Sequence, residues 1–243
     1  MDPFLLNDRT DVSPLILVGD HAGRMIPAQL DGLGLSNEDL QDHIAYDPGV
    51  DEALVSWGDA LGASSLRGVY SRLLSDLNRA DNDPTVVPAI SDRRVIPGNV
   101  GLDAEELAAR IKQYHHPYHD ALGGLVHDAV AKNGCCRLLS IHSFTPTWRG
   151  QQRDLEVGLL HARPPSFVDQ CCDLLRGAGY RAAINEPYDG ALPGDCMDRH
   201  GVGKHPHLLI EIRNDLLQDA GWRFEFVGFL EKINEMMGNE DGR

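Results

Sequence analysis

No stretch of the 243-residue sequence approaches the roughly 20 consecutive apolar residues that a membrane-spanning helix needs. The amino terminus, MDPFLLNDRTD, carries acids and a proline where a secretory leader would need a basic start and an unbroken apolar stretch. A cytoplasmic protein with no membrane partner is expected. Positive charge is scarce too: 22 lysines and arginines face 37 aspartates and glutamates, a formal balance of -15. Phosphate backbones need a basic face, so the balance argues against a nucleic-acid partner. Cysteine is limited to five residues, four of them in the adjacent pairs Cys135-Cys136 and Cys171-Cys172. Such pairs suit neither a disulfide framework nor a CxxC metal or redox site. The shortage of cations makes each arginine cluster informative. An acidic protein that takes an anionic substrate must build a positive pocket against its own field.

With 42% hydrophobic and 24% charged residues, the chain has the composition of a globular protein with a substantial core. It shows no internal repeat, low-complexity tract or linker, so residues 1–243 are read as a single domain. Short apolar runs at 14–19 (PLILVG), 65–71, 137–141, 155–161, 181–185 and 207–213 (HLLIEIR) read as strands. Helical spacing marks 51–61, 166–176 and 222–237. Residues 103–132 read as a long helix or helix pair, interrupted by Pro117 and the Gly123-Gly124 step. Strands separated by helices predict an α/β domain with a largely parallel sheet covered on both faces. The proline-rich, charged stretch 81–101 reads as a loop over the site.

Three of these strands deliver groups capable of chemistry. The first empties into Asp20-His21, a central one into His142 followed by small Ser143, and the last carries Glu211 and Arg213. Ligands of such sheets sit beyond the carboxyl ends of the strands, where these groups converge. A catalytic zinc usually takes three protein ligands and water, and two histidines with one carboxylate would supply them. A lone histidine at a strand end is more often a hydrogen-bonded structural residue, so the argument rests on the combination. Glu211, between Ile210 and Ile212, is the oddest residue: a carboxylate there is costly unless paired, hydrogen-bonded or metal-linked. An ion pair with Arg213 or another arginine is its structural alternative. A second constellation, Ser71-Arg72 and Asp76-Leu77-Asn78-Arg79, offers the planar forks and amide that suit a substrate carboxylate. Its alternative is arginines tied to Asp76 or Asp81.

The stretches DHAGRMIP (20–27), YDPGVD (46–51), SRLLSDLNR (71–79), PYH (117–119), IHSFTP (141–146) and IEIRNDL (210–216), in this order, resemble the signatures of the N-formylglutamate amidohydrolase family over about residues 14–235. The resemblance implies a zinc-dependent hydrolase with a three-layer phosphorylase/hydrolase-like fold: a mostly parallel mixed sheet with helices on both faces. It implies His21 and His142 as Zn2+ ligands. The His-x-x-Glu pair of carboxypeptidase-like relatives is missing, since Arg24 stands three residues after His21. Asp47 is taken as the third ligand, with Asp51 as the alternative; as structural residues, Asp47 would cap a helix and Asp51 would sit in its first turn.

The same resemblance implies Glu211 as general base and Asn78 with Arg79 as the grip on a terminal carboxylate. Arg72 and Arg213 would stabilise the oxyanion or bind a second carboxylate, and His119 and His200 would be hydrogen-bonding residues nearby. The expected substrate is a small anionic N-acylamino acid such as N-formylglutamate, cleaved by metal-activated water. The alternative is a binding protein that kept the anion pocket and lost its metal. A serine hydrolase built on Ser140 or Ser143 with His142 is disfavoured, because neither serine lies in a G-x-S-x-G elbow. Acyl preference and oligomeric state, a homo-oligomer included, stay open.

Overall fold

In the computed structural model, which describes residues 2–162 and 166–239, seven strands share one sheet. They are β1 (Phe4–Asn7), β2 (Leu15–Gly19), β3 (Ser64–Gly68), β4 (Arg137–Phe144), β5 (Val157–Leu160), β6 (Ala182–Ile184) and β7 (His207–Arg213). Their order across the sheet is β1-β3-β2-β4-β7-β5-β6. Pairing is parallel except between β1 and β3 and between β7 and β5. The expected mixed, mostly parallel α/β sheet is therefore present.

Side-chain alternation sorts the strands into two layers. Leu15, Leu17, Leu139, Ile141, Leu208, Ile210 and Ile212 pack in one cluster with residues of helices α1 (Val50–Leu61), α4 (Ser166–Gly177) and α7 (Ala220–Gly238). Trp57 of α1 is fully buried there against Phe226 of α7, and its indole N–H donates to the Arg223 carbonyl at 2.9 Å. Ile16, Val18, Leu138 and Leu209 face the other way, onto Tyr118, Leu122 and Leu125 of α3 (His116–Asn133) and Met197. Each fully buried Leu or Ile contributes roughly 1.5–3 kcal/mol. On this second face β4 and β7 become polar toward their carboxyl ends, with Ser140, His142 and Glu211 replacing the hydrocarbon.

Several boundaries differ from the sequence reading. β4 runs through His142 to Phe144 instead of stopping at residue 141, so His142 lies within a strand, paired to Glu211 on β7. The long helical stretch does not break at Gly123-Gly124, which lie inside α3. It breaks at Ile111–His115, a wide turn in which the N–H of His116 reaches back to the Ile111 carbonyl. Pro117 has no N–H to give and its ring crowds the preceding turn, which a widened turn accommodates. The two helical parts are α2 (Ala104–Arg110) and α3. The short edge strand β1, the four-residue helix α6 (Asn214–Leu217) and helix α5 (Cys196–His200) have too little periodicity to be read from sequence. The cysteines form no disulfide among the described residues, and no described helix is long and apolar enough to cross a membrane.

Candidate active site

The chain reaches the site along five local routes, one of them β7, which carries Glu211. β2 ends at Gly19, and the turn after it presents Asp20 and His21. The segment before α1 is tied to that turn by the Asp47 N–H, which donates to the His21 carbonyl at 2.9 Å. Gly49 allows the chain to enter α1 so abruptly: its φ is 89°, and a Cβ there would come within 2.9 Å of the Leu217 backbone. His142 arrives on β4. The loop after β3 supplies Arg72, Asp76, Asn78 and Arg79.

His21, Asp47 and His142 are all buried, and their ligand atoms lie within 4.8 Å of one another. Both Nδ1 atoms turn toward Asp47 Oδ2, His142 at 2.9 Å and His21 at 3.5 Å. Both Nε2 atoms turn the opposite way toward carboxylates: His21 to Asp76 Oδ1 at 2.7 Å, His142 to Asp20 Oδ2 at 3.4 Å. His142 Nδ1 is within hydrogen-bond distance of Asp47 Oδ2 and its Nε2 has no hydrogen-bond partner, whereas a proton on His21 Nε2, directed at Asp76, leaves the His21 Nδ1 lone pair facing Asp47, the carboxylate–histidine arrangement that fixes a metal-binding tautomer. His21 Nδ1 has no hydrogen-bond partner although buried. Tyr118 Oη donates to Asp20 Oδ1 at 2.8 Å and so holds that outer carboxylate in place. The residues present fit a metal ion.

The electrostatics agree. Asp20, Asp47, Asp76 and Glu211 are buried around one imidazole pair, with Arg72 and Arg79 as the nearby guanidiniums. Burial alone would raise Asp47, but the His21 and His142 imidazoles outweigh it and hold its carboxyl far below the usual range. Burial would likewise lower His142, but its bonds to Asp20 and Asp47 raise it well above the ordinary value. So many buried carboxylates draw a positive charge to this spot, and a divalent cation would supply it. Glu211 behaves differently: burial pushes it up to about 7, helped by Asp47 and opposed by His142 and Arg72. Its Oε2 has no hydrogen-bond partner.

These groups share a cavity of about 370 Å³, lined among others by His21, Asp47, His142, Glu211, Arg72, Asn78 and Arg79. Arg72 bridges Asp47 at 3.4 Å and Asp76 at 3.2 Å. The Oδ1 of Asn78 accepts the Cys196 N–H at 3.1 Å, which leaves its NH2 for a ligand. Ser143, the small residue after His142, donates its N–H to Asp47 Oδ2 at 3.2 Å and its hydroxyl to the Pro48 carbonyl at 3.0 Å, so it anchors the carboxylate loop.

A family model for N-formylglutamate amidohydrolase matches residues 13–218. The chain belongs to the N-formylglutamate amidohydrolase family. Among solved structures, that of gene product Atu2144 from Agrobacterium tumefaciens is similar at a TM-score of 0.91 and 28% identity, over 99% of this chain and 97% of that one. The N-formylglutamate amidohydrolase from Ralstonia eutropha JMP134 is similar in fold at a TM-score of 0.68 and 23% identity, over 99% of this chain and all of that one. No curated protein matches the sequence.

Within this family member the structure gathers most of the sequence-derived candidates and disperses two. Asp51 is not in the cluster: it pairs with Arg67 at 2.6 Å, so the choice between the two aspartates falls on Asp47. Arg213 does not line the cavity either. Its guanidinium is committed to Asp215 at 2.8 and 3.2 Å, which corrects the role expected for it. The ion pair between Arg213 and Glu211 is likewise not formed; Arg213 approaches Glu156 at 4.0 Å instead. His119 and His200 sit behind the loop that carries Asn78, joined to one another at 3.0 Å. The loop 81–101 covers part of the site: Thr85, Pro88 and Ile90 line a second cavity of about 310 Å³ together with Arg72, Arg79 and Tyr188. Sequence reasoning gave no role to Tyr118 or Tyr188, and saw Asp76 only as an arginine partner. The signal for Asp76 was its place two residues before Asn78, a spacing at which an aspartate accepts the backbone N–H of its own loop, here at 2.9 Å.

Proposed function

We propose that this chain is a zinc-dependent amidohydrolase that cleaves the N-acyl bond of a small anionic N-acylamino acid, with N-formylglutamate as the leading substrate. The observation that carries the reading is a buried carboxylate, Glu211, with an unpartnered oxygen and a pKa raised to about 7, beside two histidines and an aspartate able to share one cation in a cavity that also holds Arg72 and Arg79. His21, Asp47 and His142 would hold the ion, a donor set suited to zinc with an open position. A bound zinc supplies Lewis acidity, which brings the pKa of water from 15.7 to about 7 and polarises the acyl carbonyl.

The chain's own groups do the rest. Asn78 and Arg79 bind the substrate carboxylate and place the scissile carbonyl over Glu211. Glu211 takes a proton from the attacking water as the C–O bond forms, then returns it to the departing nitrogen as the C–N bond breaks. Arg72, held by Asp47 and Asp76, faces the oxygen on which negative charge grows; one such donor is typically worth roughly 3–4 kcal/mol. The products are a carboxylate, formate for a formyl substrate, and the free amino acid. In this reading the single domain acts in the cytoplasm, with neither nucleic acid nor membrane as partner.

The test is a panel of N-formyl, N-acetyl and N-succinyl amino acids assayed with added zinc and again after chelation. Chelator-sensitive release of free amino acid, greatest for acidic N-formyl substrates, is expected. Tight binding of these compounds with no turnover at any metal content would overturn the proposal.

A further inference from the structure

The loop that carries Asn78 and Arg79 has no regular structure of its own, yet a substrate grip must hold its shape. Two of its carbonyls are fixed by buried histidines. His119 Nε2 lies 3.0 Å from the Leu77 carbonyl oxygen, and His115 Nε2 lies 2.9 Å from the Arg79 carbonyl oxygen. A carbonyl only accepts, so both imidazoles must carry the proton on Nε2. That choice makes His119 Nδ1 an acceptor, and it is met at 3.0 Å by His200 Nε2, which therefore donates. The His119 and His200 tautomers form one consistent chain, while His115 bonds the Arg79 carbonyl separately, and burial holds all three rings neutral, with His119 pushed down to about 2 and His200 to about 4.

His115 and His119 are four residues apart, with ring centroids 4.4 Å apart and the rings tilted at 44° to one another, on one helical face. His115 closes the wide turn at Ile111–His115, and His119 follows one turn on in α3. From the same turn of α3, Tyr118 reaches Asp20, the carboxylate behind His142. One helical turn thus braces both the metal side and the substrate side of the cavity. The loop is shared as well: Asp76, immediately before Leu77, is the carboxylate behind His21.

We infer that His115 and His119 are positioning residues for substrate binding, which hold the Leu77 and Arg79 carbonyls and thereby aim the Asn78 amide and the Arg79 guanidinium into the cavity. Neither histidine lines that cavity, so each acts only through the loop. The inference rests on the amidohydrolase reading above.

The experiment compares His115→Gln with His115→Met in the zinc-loaded full chain, assayed on N-formyl-L-glutamate, with zinc content and thermal unfolding measured alongside. Glutamine places an amide N–H at about the reach of imidazole Nε2, whereas methionine fills volume without a donor. His115→Met should raise KM about tenfold with kcat within about threefold and zinc retained, the loss of one hydrogen bond that steers binding. His115→Gln should recover most of the KM. A purely structural histidine would lower the unfolding temperature in both variants and leave the KM of the folded protein unmoved, and that result overturns the inference. Should His115→Met not fold, the pair His119→Gln and His119→Met poses the same question at Leu77, where equal KM values in the two variants would be decisive against it. A wild-type protein that hydrolyses no N-acylamino acid removes the amidohydrolase reading itself, and the inference with it. An active wild type with unaffected variants removes the inference alone.

Discussion

Glu211 and His142 are direct partners on adjacent parallel strands. Their side chains leave the same face of the sheet, so the proposed base and a proposed metal-binding imidazole are held side by side by backbone hydrogen bonds. The relationship makes Glu211→Gln a clean test, since glutamine keeps the shape and removes the proton acceptor. It should bind about one zinc per chain, as the wild type is also expected to. Turnover of N-formyl-L-glutamate should fall by about 10²–10⁴, the usual contribution of a general base. Normal turnover in this variant would falsify the mechanism.

The outer carboxylates make a second prediction. Asp20 and Asp76 stand behind the two histidines, and removing such partners typically costs about 10–100-fold in metal affinity. Asp20→Asn and Asp76→Asn should each weaken zinc binding by that order, read by competition with a chelator of known affinity. Asp51→Asn, whose aspartate pairs with Arg67 outside the cluster, should leave zinc affinity unchanged.

Asp195 gives a prediction about stability. It accepts the Asp198 N–H at the start of α5, yet burial raises its carboxyl from 3.8 to about 6. A carboxyl with a raised folded-state pKa binds its proton more tightly when folded, so its contribution is fully present below about pH 4 and is lost as pH rises through 6. Asn is an equally good helix cap and has no proton to lose. Asp195→Asn should therefore be more stable than wild type by about 1–3 kcal/mol at pH 8, with the difference shrinking toward pH 4. Urea unfolding at the two pH values checks this, and a pH-independent difference would count against it.

His200 titrates with the opposite consequence. Burial lowers it to about 4 from 6.5. The unfolded chain then gains a proton first on acidification, so stability is full above pH 6.5 and is lost as pH falls toward 4. His200→Gln should flatten that acid limb by about 1–3 kcal/mol, measured as unfolding free energy at pH 7 and pH 4.5.

Close packing around Gly158 on β5 supplies a last prediction. A Cβ there would lie 1.9 Å from the Glu186 carbonyl oxygen, in backbone that leads directly to Tyr188 and Asp189 in the cavity wall. Gly158→Ala should destabilise by about 1–3 kcal/mol. It should also raise KM in the fraction that folds, because the wall must shift; steady-state kinetics beside thermal unfolding would show both.

Much of this was legible because the chemistry is written in local contrasts. A glutamate between two isoleucines, or a histidine after LLSI, conflicts with its surroundings and so announces itself. The order of strands and helices followed from hydrophobic periodicity in the same way. What escaped depends on distance in space. Arg213 and Glu211 look like partners two residues apart, but Asp215 captures the arginine from just beyond the strand. Asp47 and Asp51 both stood as candidates in the sequence, with Asp47 preferred; the tie between the Asp47 N–H and the His21 carbonyl, and the pairing of Asp51 with Arg67, separate them. Tyr118 lies in the PYH stretch but its role carries no signal, since a tyrosine among core positions of a helix reads as packing until its hydroxyl is seen on Asp20.

The alternation of β7 has a consequence for how the protein can fail. Ile210 and Ile212 serve the hydrocarbon layer, while Glu211, between them, serves the reactive one. Were β7 to pair with β4 one position out of step, an isoleucine would stand beside His142 and the carboxylate would be driven into oil. Such a misthreaded sheet would keep much of its circular dichroism and catalyse nothing. Recovery of activity after refolding should therefore lag behind recovery of secondary structure, and the lag would report how faithfully two strands find their proper alignment.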